Sequence, residues 1–444
     1  GTMEGKLPGG DNAHLEVRDR DYFFTPGYML LSMFTGVGIA SLLFFFNNFR
    51  RNNNLIGLFT YILVGIASLS VVIPIKANYF QMDRSRNWIP RDYAYNILMC
   101  CPQNSILFTN GDNDTFPLWY IQTVEGVRTD VKVTNLSLLN TNWYIKQLKN
   151  QFGLPITISD ERIDMLRPFC DERGQIIRVQ DMMIKHLIDN SIDNERVTMN
   201  EDSEYVFNPP ICFAVTVDPE RNMLNYAPYL KMNGLVYELT TVRGENQIDK
   251  DKLKKHIYEI YELRGLNDPT IYKDENSSKL MSNYITSFLT LSNAYEAEGD
   301  TANAIKTMED AIKMLPYKWQ LYYYAGRVFS KFGQKDKIYE LYDVILENGS
   351  DDVRLINAFN QYFNDLGDST KALTILEEAY ENNKNNRDFM MSLMRAYYFS
   401  NKNDEMSALI MDWQKRFPDD KELSRYMRPV SSTSGNQPIT GSEE

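Results

Sequence analysis

Two long apolar runs without a charged residue stand near the beginning of the chain. They cover residues 28–46 (YMLLSMFTGVGIASLLFFF) and 55–75 (LIGLFTYILVGIASLSVVIPI). As α-helices, each would be about 30 Å long, which matches the hydrocarbon core of a bilayer. The pattern therefore predicts two transmembrane helices within residues 28–75, preceded by a juxtamembrane segment over residues 1–27.

The charges around these runs predict an orientation. The connecting loop contains Arg50 and Arg51 and no acidic residue, so the positive-inside rule places the loop in the cytoplasm and both flanks outside. Basic residues on the outer flanks leave the opposite orientation open. Ser32, Gly36 and Ala40 recur at a spacing that lets another membrane helix approach closely. We therefore expect neighbouring membrane helices.

Between residues 76 and 245, short apolar runs alternate with helical patterns. The predicted strands are 105–109, 131–136 and 211–217, and the predicted helices are 114–125 and 141–151. Alternation of strands and helices favours a mainly parallel sheet, and Asn233-Gly234 predicts a hairpin over residues 229–239. We expect a small α/β domain here, outside the membrane, followed by a helical linker over residues 246–283.

The second half of the chain repeats. Gly299, Gly333, Gly367 and Asn401 follow one another at a constant interval of 34 residues, which is the period of the tetratricopeptide repeat, a helical hairpin. The spacing predicts an all-α solenoid of four repeats over residues 284–426, with a face that would bind a protein or peptide. The polar residues 427–444 that follow predict a disordered tail.

Composition excludes some classes of partner. The chain of 444 residues has a net charge of −12, which argues against nucleic acid binding. Its four cysteines show neither CxxC nor Cys/His ligand spacing, so no zinc site is predicted. Cys100 and Cys101 lie in an apolar run and are interpreted as packing residues.

Polar side chains follow the first two predicted strands, at the edge of a parallel sheet where ligands usually bind. The candidate ligand or partner contacts are Asp112, Asn113, Asp114, Asn135, Ser137 and Asn140, with Trp119 and Trp143 behind them. Carboxylates and amides beside aromatic rings suit a sugar or a hard cation. The sequence thus predicts a polar recognition edge.

The same acidic residues also fit a structural role. Asp114 or Thr115 is a good helix N-cap, Pro117 fits a first helical turn, and acids there complement the helix dipole. The ligand spacing excludes an EF-hand. A structural cap, a polar ligand and a cation stay open as alternatives, and we assign no catalytic residue and no metal ligand.

Several sequence blocks together resemble a known family. The blocks are VRDRDYFF (17–24), DRSRNWIPRDYAYNIL (83–98), ILFTNGDNDTFPLWY (106–120), EGVRTDVKVTNLSLLNTNWYIKQL (125–148), ICFAVTV (211–217) and LKMNGLVYEL (230–239). The chain from residue 17 to 239 resembles the C-terminal part of a bacterial family of polytopic membrane proteins, the domain of unknown function 2723 family, described as protein O-mannosyltransferase-like. Tetratricopeptide repeats are a usual appendage of that family.

The resemblance implies a membrane glycosyltransferase that takes a sugar from a polyprenyl phosphate donor on the extracytoplasmic side. It also implies that the catalytic membrane domain lies upstream of this chain, so enzymatic activity of the chain itself stays uncertain. Arg18 and Arg20 become candidate lipid-phosphate contacts, with an interfacial anchor as the alternative. The implied partners are membrane lipid and the remaining transmembrane helices of a full-length protein.

Two functions follow. In the first, the chain is the membrane-anchored C-terminal portion of a lipid-linked-sugar glycosyltransferase and supplies a module that binds the acceptor or a partner. In the second, it is a non-enzymatic, membrane-tethered repeat adaptor for protein assembly. Both place it in the bacterial cytoplasmic (inner) membrane as a multi-pass protein, with the α/β and repeat regions in the periplasm.

Overall fold

The chain divides into two compact units, residues 1–85 and 86–444. The computed structural model describes residues 3–4, 14–15, 24–50, 54–192, 198–199, 205–218, 226–244, 247–316, 318–347 and 352–420. The juxtamembrane candidates Arg18 and Arg20, and the predicted tail over residues 427–444, lie outside these described residues. The predicted domain limits stay predictions.

The first unit contains two long helices that contact each other, α1 (Thr25–Arg50) and α2 (Asn54–Met82). Thr25–Phe45 is long and apolar enough to cross a membrane, with a mean hydropathy of 1.9 and no buried residue in the scored window. Length and composition therefore support the first predicted membrane helix. The second span, the multi-pass topology and the orientation stay predictions. A short antiparallel pair, Met3–Glu4 with His14–Leu15, precedes α1.

The second unit begins with an α/β part. Its helices are α3 (Ile89–Cys100), α4 (Asp112–Val124), α5 (Asn142–Asn150), α6 (Asp160–Met165), α7 (Val179–Ile192) and α8 (Lys250–Lys255), which continues as a π-turn over His256–Ile260. Its main strands are β1 (Ile106–Thr109), β2 (Lys132–Asn135), β3 (Ile211–Ala214), β4 (Leu230–Asn233), β5 (Val236–Leu239) and β6 (Gln247–Ile248). Shorter elements are the 3-10 turns Leu138–Asn140 and Ala227–Tyr229, and the pairs Phe169–Cys170 with Ile176–Ile177 and Thr198–Met199 with Tyr205–Val206.

In the described chain, the six main strands form one sheet in the order β6-β4-β5-β3-β1-β2. Strand β1 lies parallel to β2 and to β3, with Leu107 opposite Val133 on one side and Cys212 on the other. The hairpin β4–β5 then joins β3 in the antiparallel direction, and β6 lies parallel to β4. The sheet is therefore mixed. Three of its five described pairings are parallel, as a mainly parallel sheet requires, and the hairpin supplies the two antiparallel ones.

The two central strands are buried on both faces. Residues 106–108 of β1 and 211–213 of β3 are apolar without interruption and at most 1% exposed, as expected for strands covered by helices on both sides. The rings of Phe108 and Phe213 stack across them with centroids 5.0 Å apart. This packing fixes the positions of the loops that follow β1 and β3.

Four helical hairpins complete the described part of the second unit. They pair α9 (Glu275–Ala297) with α10 (Thr301–Met314), α11 (Trp319–Lys331) with α12 (Lys335–Glu347), α13 (Val353–Asp365) with α14 (Ser369–Asn382), and α15 (Arg387–Phe399) with α16 (Asn403–Arg416). The turns contain Gly299, Gly333, Gly367 and Asn401, with φ of 78°, 65°, 77° and 55°. This left-handed conformation explains the regular glycines, and the predicted repeat solenoid is confirmed.

Candidate functional site

The candidate site lies at the carboxyl ends of β1, β2 and β3. The order of strands in the sheet reverses at β1. The chain continues from β1 to β2 on one side and later places β3 on the other side. Loops that leave such a point in opposite directions separate from each other and form the usual ligand crevice of an open α/β sheet. The polar residues after these strands therefore occupy the expected place.

Helix α4 starts two residues earlier than the sequence predicts. Its N-cap is Gly111, in an extended conformation, and Asp112 is the first helical residue. The predicted cap at Asp114 or Thr115 is thus wrong, and Pro117 lies inside the helix instead of at its start. Asp112 and Asp114 remain in the first turn, where negative charge is favourable.

Asp114 is the buried acid of the site, with only 4% of its surface exposed. It accepts hydrogen bonds from the hydroxyl of Thr216 and from the backbone N–H of Asn110. Burial raises the pKa of the Asp114 carboxyl above its ordinary value of 3.8, and the two hydrogen bonds oppose that shift. Asp114 therefore connects the loop after β1 with the loop after β3.

A second buried network is centred on Thr115. Its hydroxyl donates to the carbonyl of Gly111 at 2.8 Å, so it is an acceptor for Thr109 Oγ1 at 2.7 Å and for Asn135 Nδ2 at 2.8 Å. Asn135 also accepts the backbone N–H of Leu138 at 2.9 Å. The amide and the carbonyl of the Asn135 side chain thus both have internal partners, so this residue positions the loops. Its role as a ligand contact stays a prediction.

Exposed or half-buried polar side chains lie around these buried groups and form what we call the polar rim: Asn110, Asp112, Asn113, Ser137 and Asn276. Ser137 Oγ donates to the carbonyl of Asn110 at 3.3 Å, and Asn113 Nδ2 donates to Asn276 Oδ1 at 3.3 Å. Asn276 belongs to the first turn of α9. The polar rim therefore joins the loops after β1 and β2 to the first repeat helix.

Asn140 lies apart from the polar rim. Its Nδ2 donates to Gln180 Oε1 at 2.8 Å, and its Oδ1 accepts the backbone N–H of Gln180 at 3.1 Å. Gln180 is in the first turn of α7, so Asn140 attaches that helix to the turn after β2. This contact is structural, and the predicted role of Asn140 as a ligand contact stays a prediction.

The two tryptophans belong to a separate cavity and do not lie behind the acidic residues. This aromatic cavity has a volume of about 510 Å³ and lies between α4, edge strand β2 and α5. Its lining includes Trp119, Gln122, Trp143, Tyr144, Gln147 and Phe152. The sequence predicted both tryptophans as contacts, and the structure assigns them to this cavity.

Four members of the site were not predicted as contacts from the sequence: Thr109, Asn110, Thr216 and Asn276. Thr216 was placed inside a predicted strand over residues 211–217, whereas β3 ends at Ala214 and leaves Thr216 in the following loop. Asn276 lies 163 positions from Asn113, so no local pattern could associate them. Within the described ranges, no group of three His, Cys, Asp or Glu side chains is arranged to hold a metal ion.

A known family covers this part of the chain. The family described as TMEM260-associated domain 2 matches residues 90–209, which run from α3 to beyond α7 and end before β3 begins at Ile211. The mouse (Mus musculus) protein O-mannosyl-transferase TMEM260 is 29% identical over 82 residues. That match covers 18% of this chain and 12% of the mouse protein. The α/β part is therefore related to protein O-mannosyltransferase-like proteins.

Two similar solved structures each cover about a third of this chain. MamA from Desulfovibrio magneticus RS-1 is 12% identical and covers 35% of this chain and 88% of its own, with a TM-score of 0.23. YrrB, a tetratricopeptide-repeat protein with an unusual peptide-binding site, is 18% identical. The match covers 34% of this chain and 78% of YrrB, also with a TM-score of 0.23.

Proposed function

We propose that this chain supplies the extracytoplasmic acceptor- and partner-binding module of a protein O-mannosyltransferase-like glycosyltransferase that uses a polyprenyl phosphate sugar donor. The observation that carries the proposal is the family match over residues 90–209, because those residues contain most of the polar rim. The module would hold the acceptor while membrane helices outside this chain carry out sugar transfer. The chain would be a multi-pass protein of the cytoplasmic membrane with its second unit in the periplasm.

The chemistry of the polar rim supports acceptor binding. Carboxamides such as Asn110 and Asn113 both donate and accept hydrogen bonds, and a peptide backbone or a sugar hydroxyl offers both partners. Their arrangement is held by the buried bonds of Thr115 and Asp114 beneath them. A pre-formed rim of this kind binds without a large ordering cost.

The direct test is acceptor glycosylation in cells that depend on this protein. We expect Asn113→Ala together with Asn276→Ala to reduce the glycosylated fraction of acceptor proteins, measured by gel mobility and mass spectrometry. Asn382→Ala, an exposed asparagine at the end of α14, is the matched control. Normal glycosylation by the double variant, at a normal membrane level, would refute the acceptor role.

Orientation has its own test, because Cys170 is exposed whereas Cys100, Cys101 and Cys212 are buried. We expect a membrane-impermeant thiol reagent to label Cys170 in intact spheroplasts. Cys170→Ser provides the control for background labelling. Labelling only after the membrane is opened would place the second unit in the cytoplasm and overturn the periplasmic proposal.

The alternative function, a membrane-tethered repeat adaptor, is favoured by a groove in the solenoid. Two cavities of about 690 Å³ each adjoin there and share Asn357 and Gln361. Among the described residues, their lining contains Arg327, Arg354 and Arg395 and no acidic residue, although the whole chain has a net charge of −12. Arg354 is paired with Asp352 beside the groove, at 2.9 Å. Charge and carboxamides together suit an extended acidic peptide.

Binding of fluorescent peptides to the full chain distinguishes the two functions. The adaptor function predicts that an acidic peptide binds, that a neutral analogue of the same length does not, and that Arg395→Ala weakens binding. It also predicts normal acceptor glycosylation in that variant. Loss of glycosylation on Arg395→Ala would instead assign the groove to acceptor binding.

A further inference from the structure

We propose that the aromatic cavity between α4, β2 and α5 is a carbohydrate site that holds a single neutral hexose unit of an acceptor glycan or glycosylated product. The preference for a mannosyl unit rests on the proposed function, whereas the sugar site itself rests on the geometry of the cavity. Its volume of about 510 Å³ lies within the usual range of small-molecule sites.

Aromatic surface is available on two sides of the cavity. Trp143 at the start of α5 is 59% exposed and Phe152 beyond the end of α5 is 48% exposed, whereas Trp119 on α4 is partly buried against the core. Exposed indole and phenyl rings leave apolar area in contact with water, which is unfavourable unless a ligand covers it. The C–H face of a pyranose ring is apolar and fits against such rings.

Polar groups at the cavity suit hydroxyl recognition. Gln122 Nε2 donates to the carbonyls of Arg128 and Val131, both at 2.8 Å, so this side chain is held in one orientation with Oε1 as a remaining acceptor. Gln147 makes one weaker bond, from its Nε2 to the exposed Gln151 Oε1 at 3.2 Å. The ammonium group of Lys132 adds a donor at the same cavity.

The described lining contains no carboxylate, which disfavours a cation or a basic side chain as the ligand. A neutral polyol needs only acceptors and donors of the kind that Gln122, Gln147 and Lys132 provide. The combination of flat apolar surface, two carboxamides and one ammonium donor therefore suits a sugar ring better than a cation.

An added peptide strand is disfavoured by the edge of the sheet. The Tyr144 hydroxyl accepts the backbone N–H of Asn135 at 3.0 Å and donates to the carbonyl of Val133 at 3.4 Å, and Gln122 takes the carbonyl of Val131. These three backbone groups, two in β2 and one in the residue before it, face away from β1. An extended peptide would need them for strand pairing, but they already have side-chain partners. The cavity therefore favours a compact ligand over a strand.

The test is direct binding of methyl α-mannopyranoside to the full-length chain in detergent, followed by isothermal titration and by saturation-transfer NMR. We expect saturable binding, weakened about tenfold by Trp143→Ala because one stacking surface is lost. Tyr398→Ala removes an equally exposed aromatic ring in α15, 60% exposed, and should leave affinity unchanged. Trp143→Phe should restore part of the affinity.

The outcomes separate the sugar site from the proposed function, because the readout is binding and not glycosylation. The absence of saturable mannoside and glucoside binding, or equal affinity in Trp143→Ala and the unsubstituted chain, would overturn the site. Binding of an unglycosylated serine-rich peptide in competition with the mannoside would also overturn it. Equal affinity for methyl α-glucopyranoside would retain the sugar site and remove the mannosyl preference.

Discussion

The hydroxyl of Thr216 donates a hydrogen bond to the buried carboxylate of Asp114, across 102 positions of sequence. The bond replaces part of the water that the carboxylate loses on burial, and it joins the loop after β3 to the first turn of α4. The two strands of the central crevice are thereby connected at their carboxyl ends. The contribution of the buried Asp114 carboxyl to the stability of the fold depends on pH.

Asp114→Asn should change the pH dependence of stability. Because the folded-state pKa is raised above 3.8, the folded protein holds this proton more tightly than the unfolded chain does. The resulting stabilisation is present below pH 3.8 and is lost as pH rises through the raised pKa. We therefore expect the unsubstituted protein to lose stability relative to Asp114→Asn over that window, measured by urea unfolding. Asp112→Asn, at the exposed neighbouring acid, is the control, and parallel curves for the Asp114 variant and the unsubstituted protein would contradict the assignment.

Asp130→Asn should show the opposite pH dependence. Arg128 lies 2.9 Å from Asp130 and lowers the pKa of that carboxyl to about 2. The stabilisation is thus present above the ordinary pKa of 3.8 and is lost as pH falls to about 2. We expect a cost of about 1 kcal/mol at neutral pH, since solvent screens this partly exposed pair. Asp164→Asn, at a more exposed ion pair with Lys146, should have a smaller effect. A larger loss of stability in Asp164→Asn than in Asp130→Asn would show that the burial of an ion pair does not determine its contribution to stability.

Gly326→Ala should destabilise the solenoid. A Cβ atom at this position would lie 2.6 Å from Cε2 of Tyr362, whose hydroxyl donates to the carbonyl of Tyr323 at 2.9 Å. Displacement of this ring costs about 1 to 3 kcal/mol, whereas alanine gains about 1 kcal/mol of helix propensity. We expect a net loss of about 1 kcal/mol in thermal or urea unfolding. Ser330→Ala on the same helix is the control, and Tyr362→Leu should reduce the effect of Gly326→Ala in a double-mutant cycle.

Asn401 should contribute less to stability than the glycines of the other three repeat turns, because asparagine adopts the left-handed conformation less readily than glycine. Its φ of 55° is the left-handed conformation that glycine adopts in the other three turns. We expect Asn401→Gly to stabilise by about 0.5 kcal/mol and Asn401→Ala to destabilise by about 1 kcal/mol. Ser400→Ala, one residue earlier, controls for loss of a polar side chain. An alanine variant as stable as the glycine variant would mean that the turn relaxes to another conformation.

The features predictable from sequence are those encoded by local spacing. Each repeat turn needs a left-handed residue, so Gly299, Gly333, Gly367 and Asn401 marked the hairpins directly. The apolar runs of β1 and β3 likewise indicated buried strands. These signals depend on neighbours within a few residues and survive in a single sequence.

Other features depend on contacts between distant segments. The antiparallel addition of β5 to β3 pairs Tyr237 with Phe213, and neither segment contains a signal for that direction. The sequence predicted Trp119 and Trp143 behind the acids, but the helices α4 and α5 place both rings at the edge strand β2. Tertiary packing decided these positions.

We expect that foreign repeats can replace the outer three helical hairpins but not the first hairpin. Asn96 on α3 donates to Tyr284 Oη at 2.8 Å, and Asn283 donates to Tyr93 Oη at 2.7 Å, so α9 completes the interior of the α/β part. A chimera that transplants foreign repeats should therefore be joined after α10, near Leu315. Such a junction would let the solenoid acquire new partners over evolutionary time while the sheet and its rim stay intact.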